Sequence, residues 1–144
     1  MLNRLHRASG VTNLIADLAR DGREVVSHGN GVWDVEFTNP ASTYDMRIVE
    51  GPSVVTMGVN IAELASPQDV GREFYRGLTQ LSHKLNFGSI GTNDRFVTLT
   101  REIPGANTPV DELVLNATAL DVAQEAAFPS VFKLAEDTNT GLII

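Results

Sequence analysis

Three histidines are the residues best suited to bind a metal ion, because imidazole is a common ligand of zinc and copper. They stand at His6, His28 and His83, and none has a second ligand at a spacing that metal sites use. A site built from them would need oxygen donors from elsewhere in the fold. The sequence therefore predicts no metal and no cofactor. It places His83 near a helix end, where an imidazolium favours the negative pole of the helix dipole.

The segment Gly88-Ser89-Ile90-Gly91 has the spacing of two ligand-binding loops. A phosphate-binding loop continues with Lys and then Ser or Thr, whereas this chain continues with Thr92-Asn93-Asp94, whose carboxylate repels phosphate. The GXXG clamp of KH domains lies between two helices in a basic setting, whereas a strand is predicted to follow here. The favoured interpretation is a helix-to-strand connection in which glycine supplies unusual backbone angles.

No nucleophile stands in a recognisable catalytic pattern. The chain has no cysteine, which excludes thiol catalysis, disulfides, zinc–thiolate sites and iron–sulfur clusters. No serine lies in a G-x-S-x-G turn. The sequence thus predicts no catalytic residue. The alternative is an enzyme or small-ligand binder with a pocket between sheet and helices, which would require distant polar side chains to converge, for example Tyr44, Arg47, His83 and Arg95.

Alternating apolar residues on two predicted strands suit either a core or a surface that contacts a partner. The candidate partner-binding residues are Trp33, Phe37, Val55, Met57 and Val59. A core is the favoured interpretation, because alternation is the usual mark of a half-buried strand. A contact surface is the alternative, since methionine adapts to different partners and tryptophan is a frequent anchor.

The first half of the chain predicts one helix followed by four strands. The helix carries an apolar stripe at helical spacing, formed by Val11, Leu14, Ile15 and Leu18, and Gly22 ends it. Asn30-Gly31 predicts a tight hairpin between the first two strands. The second, third and fourth strands alternate apolar and polar residues, with Trp33 to Phe37, Tyr44 to Ile48 and Val55 to Ile61 as their cores.

The second half predicts a helix, a strand and a final helix. Ser66-Pro67 and Thr108-Pro109 each place a hydroxyl at the predicted N-cap and a proline at the first helical position. The first of these helices extends to about Leu85, and the strand extends from Arg95 to Ile103. The final helix contains Pro129, which is predicted to kink it or to start a second segment.

These elements predict an α+β fold of two layers, in which an antiparallel sheet of about five strands packs against helices in the order α-ββββ-α-β-α. The length of 144 residues fits a single domain spanning 1–144, with residues 1–10 and 138–144 as flexible ends. Eighteen acidic against eleven basic residues give a net charge of −7, which disfavours a nucleic-acid partner. The absence of a long apolar run and of a signal peptide predicts no membrane partner and a cytoplasmic location.

Three features follow one another in the second half of the chain: the segment Leu85 to Gly91, the strand from Arg95 to Ile103 with Pro104 after it, and the helix from Val110 to Leu134 with its late Pro129. In these features the chain resembles the YbjN-like family of bacterial sensory-transduction regulators. The first half agrees in its layout of a helix and a meander. The resemblance implies the fold of type III secretion chaperones and a small acidic protein, often a homodimer, without catalytic residues.

The predicted function is therefore a non-enzymatic protein-binding module, chaperone-like or regulatory, that holds an extended segment of a client protein. Its predicted partners are a client protein and a second copy of the chain. A third alternative is a homodimer whose exposed apolar surface is used in self-association, with the apolar tail Leu142-Ile143-Ile144 exchanged onto a neighbouring copy.

Overall fold

The computed structural model describes residues 9–104 and 108–143, and the statements below concern these residues. They form one antiparallel sheet with three helices packed on one of its faces. In chain order the elements are α1 (Gly10–Arg20), β1 (Val25–Gly29), β2 (Val32–Thr38), β3 (Thr43–Glu50), β4 (Val54–Leu64), a short 3₁₀ turn (Pro67–Asp69), α2 (Arg72–Lys84), β5 (Ser89–Asn93), β6 (Phe96–Pro104), α3 (Val110–Asp137) and β7 (Leu142–Ile143).

The spatial order of the strands is β1-β2-β3-β4-β6-β5, and β7 adds a short pairing to the end of β4. The predicted α+β class with an antiparallel sheet is confirmed. The predicted count of about five strands was two too low among the described residues. Ser89–Asn93 is a strand paired with β6, where a connection was predicted, and Leu142–Ile143 pairs with Glu63 and Leu64 of β4.

The core lies between the sheet and the helices. Strand residues that alternate along the chain supply one side of it, because successive side chains in a strand point to opposite faces. The helices supply the other side. The largest fully buried side chains are Phe74, Leu14, Met46, Ile48, Met57, Leu64, Leu99, Leu113, Leu120, Gln124, Val11 and Val35.

The first helix and the first hairpin form as the sequence predicts. The Ser9 hydroxyl accepts a hydrogen bond of 3.0 Å from the amide of Thr12, which fixes the start of α1 at Gly10. The helix buries its apolar stripe of Val11, Leu14, Ile15 and Leu18. Asn30 has a φ of 55° and Gly31 a φ of 76°, the positive angles that a tight hairpin turn needs.

The two predicted hydroxyl N-caps are not formed. The residues after Ser66 make only the 3₁₀ turn, and α2 begins later, with Gly71 as its N-cap. The N-cap of α3 is Pro109, and the Thr108 hydroxyl instead donates to the carbonyl of Pro104. In both places the hydroxyl-proline signal marks the approach to a helix but stands before the first helical turn.

The last helix continues through Pro129 as one element of 28 residues. Of the two effects predicted for Pro129, a kink or a second segment, the second segment does not form. Burial of the same helix face on both sides of Pro129 explains the continuity, since Ala127 is 2% and Val131 0% exposed. None of the helices in the described part of the chain has the length and apolar character needed to cross a membrane.

The ends of the chain were predicted to be flexible. Of the first end, residues 1–8 lie outside the described residues, whereas Ser9 and Gly10 belong to the start of α1. Of the second end, Ile144 lies outside, whereas Leu142–Ile143 pairs with β4 of the same chain. The described part of the tail is therefore docked intramolecularly.

Candidate partner-binding surface

The sheet face opposite the helices is polar and forms the candidate surface, called here the open face. One row of residues crosses it in register: Asp34 of β2 pairs with Arg47 of β3, Arg47 with Gly58 of β4, and Gly58 with Thr100 of β6. Because side chains alternate along each strand, the neighbours of these residues point into the core. The same alternation of side chains therefore produces a polar open face on one side of the sheet and an apolar core on the other.

A cleft of about 690 Å³ lies on the open face. Gly58 lies in the middle of its floor, where the missing side chain leaves a depression between Arg47 and Thr100. A β-carbon built at Gly58 would lie 3.5 Å from Cγ2 of Thr100, an ordinary contact distance. The residues that line the cleft are Asp34, Thr43, Tyr44, Asp45, Arg47, Val49, Thr56, Gly58, Val59, Asn60, Asn93, Phe96, Thr98 and Thr100.

Ion pairs fix the charges at one side of the cleft. Arg47 donates to both carboxylate oxygens of Asp34, at 2.9 and 3.0 Å, and Nε2 of His28 lies 2.8 Å from Oδ2 of the same carboxylate. The hydrogen bonds from Arg47 lower the pKa of Asp34 against the opposing effect of burial, and the same bonds raise the pKa of Arg47. Both groups are charged at neutral pH, as expected of a structural ion pair and unlike a general acid.

One end of the cleft reaches a stretch of β4 with an unpaired edge. On the side away from β6, β4 pairs with β3 up to Val59 and with β7 from Glu63 onward. Within the described structure, Asn60–Ala62 has no strand partner on that side, and β4 carries a bulge there. Backbone N–H and C=O groups at such an edge are able to pair with an added strand.

Strand β1 forms one outer edge of the sheet and pairs only with β2 among the described residues. Val26 of this strand pairs with Asp34, so that it lies on the open face, and 55% of its surface is exposed. Strand β5 forms the opposite edge beside β6. The open face thus ends in a strand edge on each side.

The five candidate partner-binding residues lie on the covered face. Phe37, Val55, Met57 and Val59 are between 0% and 3% exposed, and they contact the core beneath the helices. Trp33 is partly buried and packs against the same core. The burial of these four side chains favours the core interpretation for them.

The residues of the alternative pocket are not brought together. The Tyr44 phenol bonds to Asp121 on the helix side of the sheet, whereas Arg47 pairs with Asp34 on the open face. Arg95 pairs with Glu63 at 3.2 Å. His83 lies in the last turn of α2, as predicted. Tyr44 and Arg47 thus belong to one strand and both border the cleft, but their side chains lie on opposite faces of the sheet, and neither contacts His83 or Arg95.

The structure also shows where His28 and the segment from Gly88 to Gly91 lie. His28 contacts the carboxylate of Asp34 as described above, and His6 lies outside the described residues. No group of three or more potential metal ligands occurs within residues 9–104 and 108–143. Gly88 has a φ of 82°, which is the unusual angle predicted for this connection, while Ser89 to Gly91 belong to β5.

The sequence interpretation named Tyr44, Arg47 and Val59 but missed the other cleft residues, because most of these are ordinary polar positions of alternating strands. Thr56, Thr98 and Thr100 carry no motif, and only the register of three strands brings them to one surface. The one available signal was Gly58, a glycine inside a strand, which often marks a place where another chain approaches closely.

Comparison with known proteins adds information on the fold. No known family profile and no curated protein sequence matches the chain. Among solved structures, YbjN from E. coli is similar with a TM-score of 0.63 at 10% identity, over 93% of both chains. A chain of the HopA1–SchA chaperone–effector complex is similar with a TM-score of 0.56 at 10% identity, over 83% of this chain and 94% of that one.

A third similar structure is a chain of the heterodimeric ExoU–SpcU complex from the type III secretion system of Pseudomonas aeruginosa. Its TM-score is 0.54 at 16% identity, over 81% of this chain and 95% of that one. These identities are low, and the similarity therefore concerns the arrangement of the elements. The chain has a YbjN-like fold of the type III secretion chaperone kind.

Proposed function

We propose that this chain is a non-enzymatic protein-binding module that holds an extended segment of a client protein across the open face of its sheet. The observation that carries the proposal is the cleft of about 690 Å³ around Gly58, on a sheet face that the described helices leave uncovered. A two-layer α+β domain buries one face of its sheet. The other face is then available to a partner.

The lining of the cleft suits a peptide backbone. Thr56, Thr98 and Thr100 supply hydroxyls that both donate and accept hydrogen bonds. Phe96 and Val49 supply apolar surface at its margins, and Gly58 allows close approach of another chain. An extended segment alternates its side chains and exposes its amides, so that it can use both kinds of contact.

The strand edges offer a second mode of attachment for the same segment. The edge of β4 at Asn60–Ala62 lies beside the cleft, and a client strand that pairs there would continue onto the open face. Main-chain hydrogen bonds would supply affinity, and the cleft would select side chains. This combination favours an extended client over a folded one.

The structures of similar fold are consistent with this proposal. Two of them come from a chaperone–effector complex and from a heterodimeric complex of a type III secretion system. The similarity supports a chaperone-like role without naming a client. The separation of the Tyr44, Arg47, His83 and Arg95 side chains supports the non-enzymatic interpretation.

The experiment is site-specific photo-cross-linking in the source cells. A photoreactive amino acid replaces Thr56 in the cleft and, as the control, the exposed Gln80 of α2. We expect the cleft position, and not the control position, to capture one defined protein. Adding Gly58→Lys to the Thr56 probe should remove this product, because the long side chain fills the cleft, whereas adding Thr79→Lys on α2 should leave it unchanged.

Two outcomes would overturn the proposal. Capture of the same proteins from Thr56 and Gln80 would show non-specific contact. A capture that persists in the Gly58→Lys chain would place the client elsewhere. A thermal-shift screen with metabolites tests the alternative of a small-ligand binder, because a ligand of the native state raises the unfolding temperature. A hit that Gly58→Lys removes would favour that alternative.

A further inference from the structure

Three carboxylates form a row across the open face, called here the acidic row: Glu24, Glu36 and Asp45. Glu36 of β2 pairs directly with Asp45 of β3. The amide of Glu36 donates to the carbonyl of Glu24 at 2.9 Å, which continues the register of β1 and β2 by one pair. These residues alternate with positions that pack into the core, so their side chains point to the open face.

The direct pairing of Glu36 with Asp45 is unfavourable, because like charges that lie opposite each other on neighbouring strands repel. Within residues 9–104 and 108–143, neither of these two carboxylates takes part in an ion pair. The adjacent row of the open face differs, since Arg47 there binds both carboxylate oxygens of Asp34. The described fold thus neutralises one row and not the next.

The strands of the described structure carry two arginines and no lysine. Arg47 is held by Asp34. Arg101 pairs with the buried Met57 and therefore lies on the covered face, where its guanidinium carbon lies 4.6 Å from the centre of the Phe87 ring. Neither arginine neutralises the acidic row.

Arg23 approaches Glu36 from the other face of the sheet. It donates to the backbone carbonyl of Glu36 at 3.3 Å, and its guanidinium carbon lies 4.1 Å from the centre of the Phe37 ring. Phe37 is 3% exposed and belongs to the core, which places this guanidinium on the covered face. The described part of the chain therefore supplies no cation to the acidic row.

The acidic row lies beside the cleft and shares Asp45 with it. Asp45 and Asn60 both line the cleft, and each stands one residue beyond the last pair of β3 and β4, which is Met46 with Val59. Side chains on one face of an extended chain are about 6.8 Å apart, in a bound segment as in the sheet itself. An extended segment with one side chain over Gly58 can therefore bring the side chain two positions away over the acidic row.

We infer that the client segment is basic and that Glu36 and Asp45 together bind one of its lysines or arginines. The inference rests on the proposed function, since it names the chemistry of the segment held on the open face. A cationic group between two carboxylates removes their repulsion and forms charge-assisted hydrogen bonds. The net charge of −7 attracts such a segment from a distance. A metal ion is a poorer occupant, because no group of three or more potential metal ligands occurs in the described part of the chain.

The test begins with the product captured by the photoreactive residue at Thr56. Digestion and mass spectrometry identify the segment of the captured protein that is joined to the cleft. We expect this segment to carry lysine or arginine and a net positive charge. A labelled synthetic peptide of the segment should bind the purified full chain, and a version with glutamine in place of its lysines and arginines should bind more than about tenfold less tightly.

Two matched variants separate the acidic row from the overall charge of the chain. Glu36→Gln combined with Asp45→Asn should weaken binding of the peptide by more than about tenfold, because it removes both carboxylates that hold the cation. Glu136→Gln combined with Asp137→Asn removes the same two charges from the exposed end of α3 and should leave binding unchanged. Circular dichroism shows that each variant is folded.

Thermal unfolding of the protein without peptide supplies a second measurement. Glu36→Gln combined with Asp45→Asn should raise the unfolding midpoint, because it relieves the repulsion between the two strands. The same change thus strengthens the fold while it weakens binding of the peptide. A purely structural role of the two carboxylates would not produce this combination.

Four outcomes overturn the inference and leave the proposed function intact. One is a captured segment that is neutral or acidic. Another is equal weakening by the two matched variants, which would show general charge attraction only. A lower unfolding midpoint in Glu36→Gln with Asp45→Asn would show that the chain itself partners these carboxylates. Tighter peptide binding after Arg4→Gln with Arg7→Gln would assign the acidic row to the start of the same chain.

Failure of the proposed function gives a different result. If the photoreactive residue at Thr56 captures no defined protein, the open face does not hold a client, and the inference about the charge of the client falls with it.

Discussion

Tyr44 donates a hydrogen bond of 2.6 Å to Oδ1 of Asp121, across 77 positions of sequence. The same carboxylate oxygen accepts a bond of 2.9 Å from the amide of Asn39, which also donates to Gln124 at 2.7 Å. Gln124 is 1% exposed and donates in turn to Ser42 at 2.8 Å. The turn between β2 and β3 is therefore attached to the middle of α3 by a connected polar cluster.

We predict that Tyr44→Phe destabilises the protein by about 1.5–3 kcal/mol, because it removes a partly buried hydrogen bond to a charged group. The ring itself is retained, so its stacking against Phe37 at 5.9 Å should persist. Urea unfolding measures the change. Tyr75→Phe, at a ring that is 40% exposed, is the matched control and should change the free energy of unfolding little. Equal effects of the two changes would contradict the assigned role of Asp121.

The same contact predicts a loss of stability in alkali. Burial, followed by the hydrogen bond to Asp121, raises the pKa of Tyr44 above its ordinary value of 10.0. Above pH 10 the unfolded chain loses this proton while the folded protein retains it, so unfolding releases a proton and stability falls as pH rises. Urea titrations at increasing pH should show a shallower fall in Tyr44→Phe than in the parent chain. If the free energy of unfolding falls equally with pH in both proteins, ionisation of Tyr44 does not contribute to the loss of stability.

The meander could be predicted from the sequence because its two faces differ in chemistry. Val35 and Phe37 alternate with Asp34 and Glu36, and a strand is the only regular element that separates them. The apolar stripe of α1, at helical spacing, likewise allowed a helix to be predicted. β5 was missed because Gly, Thr and Asn give it little strand character, and its pairing with β6 decides its structure. The same holds for β7, which depends on the edge of β4.

The candidate site was harder to predict, since it depends on register between strands distant in sequence. Gly58 and Thr100 pair across 42 positions, and no local pattern specifies that pairing. The sequence offered Tyr44 as an apolar position of an alternating strand or as a polar group of a pocket, whereas in the structure its hydroxyl donates to Asp121. Val55 and Met57 show a different difficulty, since apolar alternation describes a core and a contact surface equally well.

Gly88 and Gly22 provide a matched pair for separating backbone strain from crowding. Their φ angles are 82° and 89°, so that alanine at either position incurs the left-handed penalty of roughly 1–2 kcal/mol. A β-carbon at Gly22 meets no atom within 4 Å, whereas one at Gly88 lies 3.1 Å from Cδ1 of Leu99 and 3.2 Å from Cδ1 of Leu120. We predict that Gly88→Ala costs about 1–3 kcal/mol more than Gly22→Ala in urea unfolding. Equal losses would show that the core yields to the added methyl group.

The contact between α2 and α3 rests on the absence of a side chain at Gly77. A β-carbon built there overlaps both methyl groups of Leu134, so this glycine permits the two helices to approach closely. We predict that Gly77→Val destabilises the protein by about 1–3 kcal/mol through this overlap. Gln80→Val, on the exposed side of the same helix, measures the cost of a β-branched residue in a helix alone and should be smaller.

A double-mutant cycle isolates the contribution of the overlap. Leu134→Ala removes the methyl groups that the side chain introduced by Gly77→Val would displace. The loss in the double variant should therefore be less than the sum of the two single losses by about 0.5–3 kcal/mol. The free energy of unfolding in urea is measured for the parent chain, the two single variants and the double variant. Strict additivity would mean that Leu134 moves aside without cost, and that the spacing of α2 and α3 is set by other contacts.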